Sequence, residues 1–290
     1  MVWCKKEERI IINMAHHPNK RPLKSSAIRE MNGLIDTHNH ILPSIDDGPK
    51  NLSQSLEMVQ DAINSGITHV FATPHHRNGQ YVNSKKHILL LVQELNSYLN
   101  RENIPLYIHA GQEVRIHLDI FSSIEEDEIL TMNDGGKYLL LELPPIDLPR
   151  NTQAVVYELL LRGIVPIIVH PERNTFLQHN PEKIFDLVQE GALIQLTAGS
   201  ITGAFGKKIR IFSEKLLQHQ LAHLVASDAH NCTKRGFLLR EAYEMITESF
   251  GFERTLSLQA NAEALLSGKP ILTAPPVPIK RGILSFMISR

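Results

Sequence analysis

Several absences narrow the field before any motif is considered. Of the 290 residues only Cys4 and Cys232 are cysteine, too few for a disulfide framework or a thiolate zinc site, so a reducing compartment, the cytoplasm, is expected. Thirty Lys and Arg against thirty-one Asp and Glu leave a net charge of -1 and a pI near 7.0. The broad basic field of a nucleic-acid binder is therefore missing, and no nucleic-acid partner is expected. No apolar run is long enough to span a bilayer, which argues against an integral membrane protein. The first thirty residues scatter Lys, Arg and His without a continuous apolar core, so a cleaved signal peptide is not expected. Residues 1-30 are expected to be a disordered or adventitious extension, with Met31 as an alternative start. No internal repeat, low-complexity tract or interdomain linker stands out.

What is present is an alternation. From Gly33 onward short apolar runs alternate with longer amphipathic ones, the rhythm of β/α units around a parallel sheet or barrel. Seven strands are expected: "GLIDT" from Gly33, "ITHVFAT" from Ile67, "PLYIHA" from Pro105, "KYLLLEL" from Lys137, "IVPIIV" from Ile164, "ALIQLT" from Ala192 and "AHLVAS" from Ala222. Helices are expected over Leu52 to Asn64, capped by Asn51 or Ser53 and stopped by Gly66, and over Lys85 to Asn100 behind Ser84. Others fall over Thr152 to Arg162, Pro181 to Gln189, Lys207 to His219, Arg235 to Phe250 and Leu256 to Leu266. A single α/β domain over residues 31-274 follows, with 275-290 a proline-led basic and apolar tail.

The residues that follow the strands carry the chemistry. Strand one runs into His38, His40 and Asp47, two into His75 and three into Glu113. Four ends on Glu142, five runs into His170, and seven runs into Asp228 and His230. The carboxyl ends of parallel barrel strands open on one face, so these nine side chains should converge there. His38 and His40, two apart on an extended segment, point to one side. Among the other histidines, His69 and His109 read as packed within strands, His87, His179, His219 and His223 as solvated, and His76 as a support beside His75.

Five imidazoles and four carboxylates without a thiolate form a mixed N/O donor set that suits Mn, Fe or Zn. Nine donors exceed the needs of one ion. Two or three divalent ions, with Glu113 or a water bridging, would balance the carboxylates and leave a site that attracts a dianion. Arg173, three residues beyond His170, and Arg235, five beyond His230, add guanidinium forks suited to phosphate oxygens.

With "DTHNHILPSIDDGP", "ATPHHRNG", "GQEVRI", "LLLELP", "IIVHPERN", "LTAGSITGAFGKK" and "ASDAHN", the chain resembles the PHP (polymerase and histidinol phosphatase) superfamily. It is closest there to the PHP-type protein-tyrosine phosphatases of bacterial capsule and exopolysaccharide loci, the CpsB/CapC/YwqE group. The similarity runs from about Met31 to the end. It implies a distorted (β/α)7 TIM-like barrel and a trinuclear, usually manganese-dependent site. One ion would take His38, His40, Glu113 and Asp228. A second would share Glu113 and take Glu142 and His170, and a third would take Asp47, His75 and His230. The implied activity is hydrolysis of phosphotyrosine by a metal-bound hydroxide, with Arg173 and Arg235 steadying the phosphate. The implied target is the tail of a membrane-associated tyrosine kinase that controls polysaccharide export.

The cysteine route to the same reaction needs a C-x5-R loop, and six places after Cys4 and Cys232 stand Ile10 and Leu238. Histidinol-phosphate phosphatase is the nearest alternative, since the same cage can serve a small alkyl phosphate. A nuclease or proofreading module would need a basic groove or appended domains, and neither is expected here. A non-catalytic binding module is the alternative from another class.

Overall fold

A computed structural model describes residues 33-279. The expectation for residues 1-30, and most of that for the tail, lies outside the described residues.

The strands are near-continuous apolar runs because both of their faces are covered. β1 (Leu34–Asn39), β2 (Ile67–Ala72), β3 (His75–His76), β4 (Tyr107–Ala110), β5 (Glu113–Arg115) and β6 (Tyr138–Glu142) are followed by β7 (Val165–Val169), β8 (Leu193–Thr197) and β9 (Leu224–Ala226). Every pairing is parallel. Such a sheet is stable only when helices cover one face and side chains fill the other.

Two hydrogen-bonded sheets result, ordered β1-β2-β4 and β3-β5-β6-β7-β8-β9. The seven expected strands are all present, but the second and third are each broken in two. β2 resumes as β3 after Thr73-Pro74, and β4 resumes as β5 after Gly111-Gln112. The two sheets meet again where β9 returns to β1, through a single bridge between Asn39 and Ala229. There the His40 N–H donates to the Ala229 carbonyl and the Asp228 N–H to that of His38, both at 2.9 Å. The result is a distorted seven-stave α/β barrel.

Its inside is a distinct apolar cluster of Phe71, Tyr138, Leu140, Ile167, Val169, Leu193 and Leu224, joined by Ala262 and Leu265 of α10 (Phe252–Leu266). The remaining helices pack outside. α1 (Leu52–Asn64) buries Met58, Val59 and Ala62 at helical spacing, and its Asn51 cap accepts the Gln54 N–H at 3.0 Å. α2 (Lys85–Arg101) does the same with Ile88, Val92, Leu95 and Leu99. Next come α3 (Ile120–Glu125), α4 (Thr152–Leu161), α5 (Thr175–His179), α6 (Glu182–Glu190), α7 (Ala198–Thr202), α8 (Lys207–Gln218) and α9 (Leu239–Phe250).

Two of these expectations need adjustment. α9 starts at Leu239 rather than Arg235, because Asn231 accepts the backbone N–H groups of Thr233 and Arg235 and closes a turn there. His223 is buried, not solvated: its Nδ1 accepts the Ile194 N–H at 3.0 Å between β8 and β9. The described start of the tail packs down, with the Val277 N–H on the His219 carbonyl at 2.9 Å and Ile279 buried in the main core. His69 and His109 lie within β2 and β4 as expected, and their rings are hydrogen-bonded to each other at 2.9 Å.

Candidate metal centre

All nine sequence-selected residues reach the carboxyl end of the barrel. Glu113, fully buried at the start of β5, forms the hub. His75 Nδ1 and His170 Nε2 lie 2.7 Å from its carboxylate, with His38 Nε2 at 3.3 Å and His40 Nε2 at 3.4 Å. Asp228 Oδ1 stands 3.4 Å from His40 Nε2 and 3.7 Å from His38 Nε2. Asp47 Oδ1 is 3.3 Å from His230 Nε2 and 3.5 Å from His75 Nε2, and Glu142 Oε2 is 3.7 Å from His75 Nδ1.

Breaks and bends in the strands create this convergence. The interruptions of the second and third staves fall just before His75 and Glu113 and turn both side chains inward. His170 (φ 39°) and Asp228 (φ 52°) adopt the left-handed backbone region. Residues with a Cβ avoid that region, and such strain clusters at functional positions.

Whether this set suits cations can be judged from its lone pairs. His38 Nε2, His40 Nε2, His75 Nδ1, His230 Nε2, Glu113 Oε2 and Asp228 Oδ1 are all buried and none makes a well-aligned hydrogen bond, His75 Nδ1 and Glu113 Oε2 included despite their 2.7 Å separation. Orphaned polar atoms are rare in folded interiors, and six crowded together are explained by cations shared out among them. Seven of the nine cage residues place donor atoms in three close groups, with His170 and Asp228 beside them: His40, Asp47, His75 and His230; His38, His40 and Glu113; His75, Glu113 and Glu142. The set therefore fits divalent metal.

The outward edges of three of the five rings are fixed as well. His38 Nδ1 is held by Gln195 at 2.8 Å and His40 Nδ1 by the Asp46 carboxylate at 2.6 Å. His230 Nδ1 donates to the Asp228 carbonyl at 2.9 Å, leaving Nε2 as the donor to the cage. Such partners set tautomer and ring angle at a metal site. Arg115 holds both oxygens of Glu142, at 2.8 and 2.9 Å.

Asp46, Gln195 and Arg115 escaped the sequence reading. Gln195 had a visible signal, a polar residue in the buried run "LIQLT". Asp46 had only its place beside Asp47, and Arg115 only its place two after Glu113. His76 is turned away from the cage, with Nδ1 2.8 Å from the Asn83 carbonyl.

Charge in the cluster follows from packing. Burial alone would raise the Glu113 pKa, but His75 and His38 hold it well below the usual carboxylate range. Burial likewise opposes the charged form of His40, yet Asp46 overcomes it and lifts the ring well above its ordinary value. Burial, reinforced by Arg173, brings His170 down to about 4, and burial with His40 brings His230 to about 4. These two rings are neutral at pH 7, the form that ligates metal.

The two arginines lie where expected but share one partner. Arg173 Nη2 is 2.8 Å and Arg235 Nη2 is 2.9 Å from Asp228 Oδ2, the oxygen opposite the orphaned Oδ1. Phe205 lies against the Arg173 guanidinium at 5.5 Å. Its ring occupies the space that a Cβ on Gly199 would need, 2.9 Å away. That contact accounts for the glycine in "LTAGSITGAF". A cleft of about 130 Å³ beside Arg173 is lined by Glu142, Pro145, His170 and Asn174.

The family model for capsular polysaccharide synthesis, CpsB/CapC, matches residues 34–267. The chain belongs to the CpsB/CapC family. The tyrosine-protein phosphatase YwqE of Bacillus subtilis is 42% identical over 248 residues, 86% of this chain and 97% of that protein. A crystal structure from the work on YwqE and on CpsB of Streptococcus pneumoniae, described as unique metal-dependent tyrosine phosphatases, superposes with a TM-score of 0.83. It is 41% identical and covers 86% of this chain and all of that one. An organophosphorus hydrolase variant from Deinococcus radiodurans, 14% identical with a TM-score of 0.51, covers 81% of this chain and 92% of its own, and shares the barrel fold alone.

No helix among the described residues is long and apolar enough to cross a membrane. Cys232 is exposed, and burial of its sulfur with the nearby Asp61 and Glu57 carboxylates pushes the thiol up to about 11. A thiol so protonated is a poor nucleophile.

Proposed function

We propose that the chain is a metal-dependent protein-tyrosine phosphatase whose cage consists of His38, His40, Asp47, His75, Glu113, Glu142, His170, Asp228 and His230. The observation that carries this reading is the six orphaned, crowded donor atoms at the mouth of a CpsB/CapC barrel. The ions are manganese, with iron or zinc able to replace it. Glu113, in reach of four imidazoles, would hold ions together with those rings. The catalytic body spans residues 31-274, and the protein works in the cytoplasm on a phosphotyrosine protein, a membrane-associated bacterial tyrosine kinase that regulates capsule synthesis.

Divalent ions in such a cage supply Lewis acidity and lower the pKa of coordinated water toward neutrality. The protein supplies position and charge. Gln195 and Asp46 fix His38 and His40, so their inward nitrogens meet the ions without reorganising. Arg173 and Arg235 each spend one N–H on Asp228 and keep others for the equatorial oxygens of the phosphate, where negative charge builds in the transition state. The tyrosine phenolate, with a parent pKa of about 10, leaves more readily than an alkoxide.

The test compares three substrates under one Mn2+ condition: a phosphotyrosine peptide, the matched phosphoserine peptide and histidinol phosphate. kcat/KM for phosphotyrosine is expected to exceed that for phosphoserine by at least about tenfold, equivalent to about 1.4 kcal/mol, and histidinol phosphate is expected to be a poorer substrate than phosphotyrosine too. A clear preference for histidinol phosphate would move the chain to amino-acid biosynthesis and leave the metal cage standing.

A further inference from the structure

Around the mouth of the cage the side chains divide by character. The loops that follow β3, β5 and β6 each hold up one large aliphatic side chain: Val82 is 69% exposed, Leu118 is 86% and Ile146 is 73%. Because β3, β5 and β6 are consecutive neighbours in the sheet, their loops are neighbours on the rim.

Each of the three is tied closely to the cage. Val82 lies between Tyr81, whose ring stacks parallel to His75 at 6.2 Å, and Asn83, which donates to the His75 carbonyl at 2.8 Å. Leu118 follows by three residues Arg115, which grips Glu142. Ile146 stands on a loop pinned by Asn174, whose side-chain NH2 donates to the Pro144 and Asp147 carbonyls at 2.6 and 2.8 Å. Pro145 and Asn174 also line the cleft beside Arg173.

Isolated exposed aliphatics are ordinary on a protein surface, but several on adjacent loops at the edge of a site mark a contact surface. We infer that Val82, Leu118 and Ile146 form an apolar rim that docks the polypeptide flanking the phosphotyrosine and selects substrates with aliphatic or aromatic neighbours to that residue.

The inference rests on the proposed phosphotyrosine activity and adds the substrate's sequence class to it. The occupant follows from continuity. A tyrosine still attached to its chain brings the adjoining backbone to the mouth of the cage when its phosphate reaches Arg173, and these three loops form one side of that mouth. Its neighbours then lie against whatever the three loops present. Aliphatic neighbours gain by leaving water there, whereas serine or charged neighbours gain nothing.

The experiment uses the full chain loaded with Mn2+ and two phosphotyrosine peptides, one with leucines and one with serines at the three positions on either side. The wild type is expected to show a kcat/KM about tenfold higher on the leucine peptide, carried by KM, since partial burial of a few aliphatic groups supports a difference of that size. In the triple variant V82S/L118S/I146S the two peptides should converge to within about twofold. Free phosphotyrosine, which carries no neighbours, checks that the triple variant is folded and loaded.

If the wild type hydrolyses free phosphotyrosine but treats the peptides alike, the docking inference is wrong while the activity stands. If it hydrolyses none of the three, the activity reading itself has failed. A wild-type dimer that the triple variant loses in light scattering, with peptide preference unchanged, would assign the rim to self-association and overturn the proposal.

Discussion

Arg173 and Arg235 converge on one carboxylate oxygen, and that sharing gives single and double substitutions different outcomes. Asp228 Oδ2 accepts from both guanidiniums at 2.8 and 2.9 Å, while Oδ1 faces the cage without a partner. In Arg173→Ala the remaining Arg235 still holds Oδ2, and in Arg235→Ala the remaining Arg173 does so. Asp228 therefore keeps its angle, and metal content should be retained in either variant. What each loses is a donor for the developing phosphate charge, expected to lower kcat/KM by about ten- to a thousand-fold, or about 1.4 to 4 kcal/mol. Lysine at either position should recover little, because a point charge cannot hold Asp228 and phosphate together as a fork does. In the double Ala variant no guanidinium is left to hold Oδ2 of the buried Asp228 carboxylate, and metal should be lost along with activity. The assay pairs phosphotyrosine-peptide kinetics with elemental analysis of the desalted protein. Metal loss in either single variant would refute the reasoning and make that arginine a strut for Asp228 alone.

Chelator should abolish turnover and added Mn2+ should restore it, with full activity in metal-free protein refuting the cage. Glu113→Ala should lower metal content and rate together, since the hub faces four imidazoles; a metal-replete, inactive variant would show that the hub is not a ligand. Burial, with Arg254 adding to it, depresses His223 to about 4, below its unfolded value near 6.5. Stability from this residue is thus full above pH 6.5 and lost as pH falls toward 4, by about 3 kcal/mol at most. Urea unfolding across that range should show a shallower acid slope in His223→Asn, and equal slopes would discount His223. Deleting residues 1-30, which precede the family match at residue 34, should leave Tm and rate nearly unchanged, and a large fall in Tm would show that the segment contributes to the fold.

The sequence revealed those features whose physical signal is local. Apolar runs such as "LLLEL" and "IVPIIV" mark staves because a strand buried on both faces has no alternation to lose. A cap such as Asn51 with a stop at Gly66 marks α1 for the same local reason. α5 and α7, each five residues long, are too short to show a 3.6-residue period, and β3 and β5 are too short to read as strands. The nine cage residues could be found because a barrel turns strand ends into one place. Their supports were harder to place: a polar Gln195 in a buried run signals a buried partner, but nothing local names that partner as His38, 157 residues away. His223 misled for the complementary reason. Its role depends on an Ile194 amide that only the pairing of β8 with β9 supplies.

The narrow seam between β1 and β9 bears on how the protein comes into being. The first and last staves are joined by one bridge and by Asp36, whose carboxylate accepts the Ser227 N–H at 2.8 Å and its hydroxyl at 2.5 Å across 191 residues of chain. Contacts so distant in sequence form late, after shorter loops have closed. During synthesis His38 and His40 emerge first, and their partner Asp228 follows only when most of the polypeptide is already outside the ribosome. Until then the acidic and imidazole groups are exposed and mobile, so a nascent chain offers cations only weak, partial sites. Full affinity appears with closure of the last stave, which makes tight metal uptake a report that the barrel has been finished.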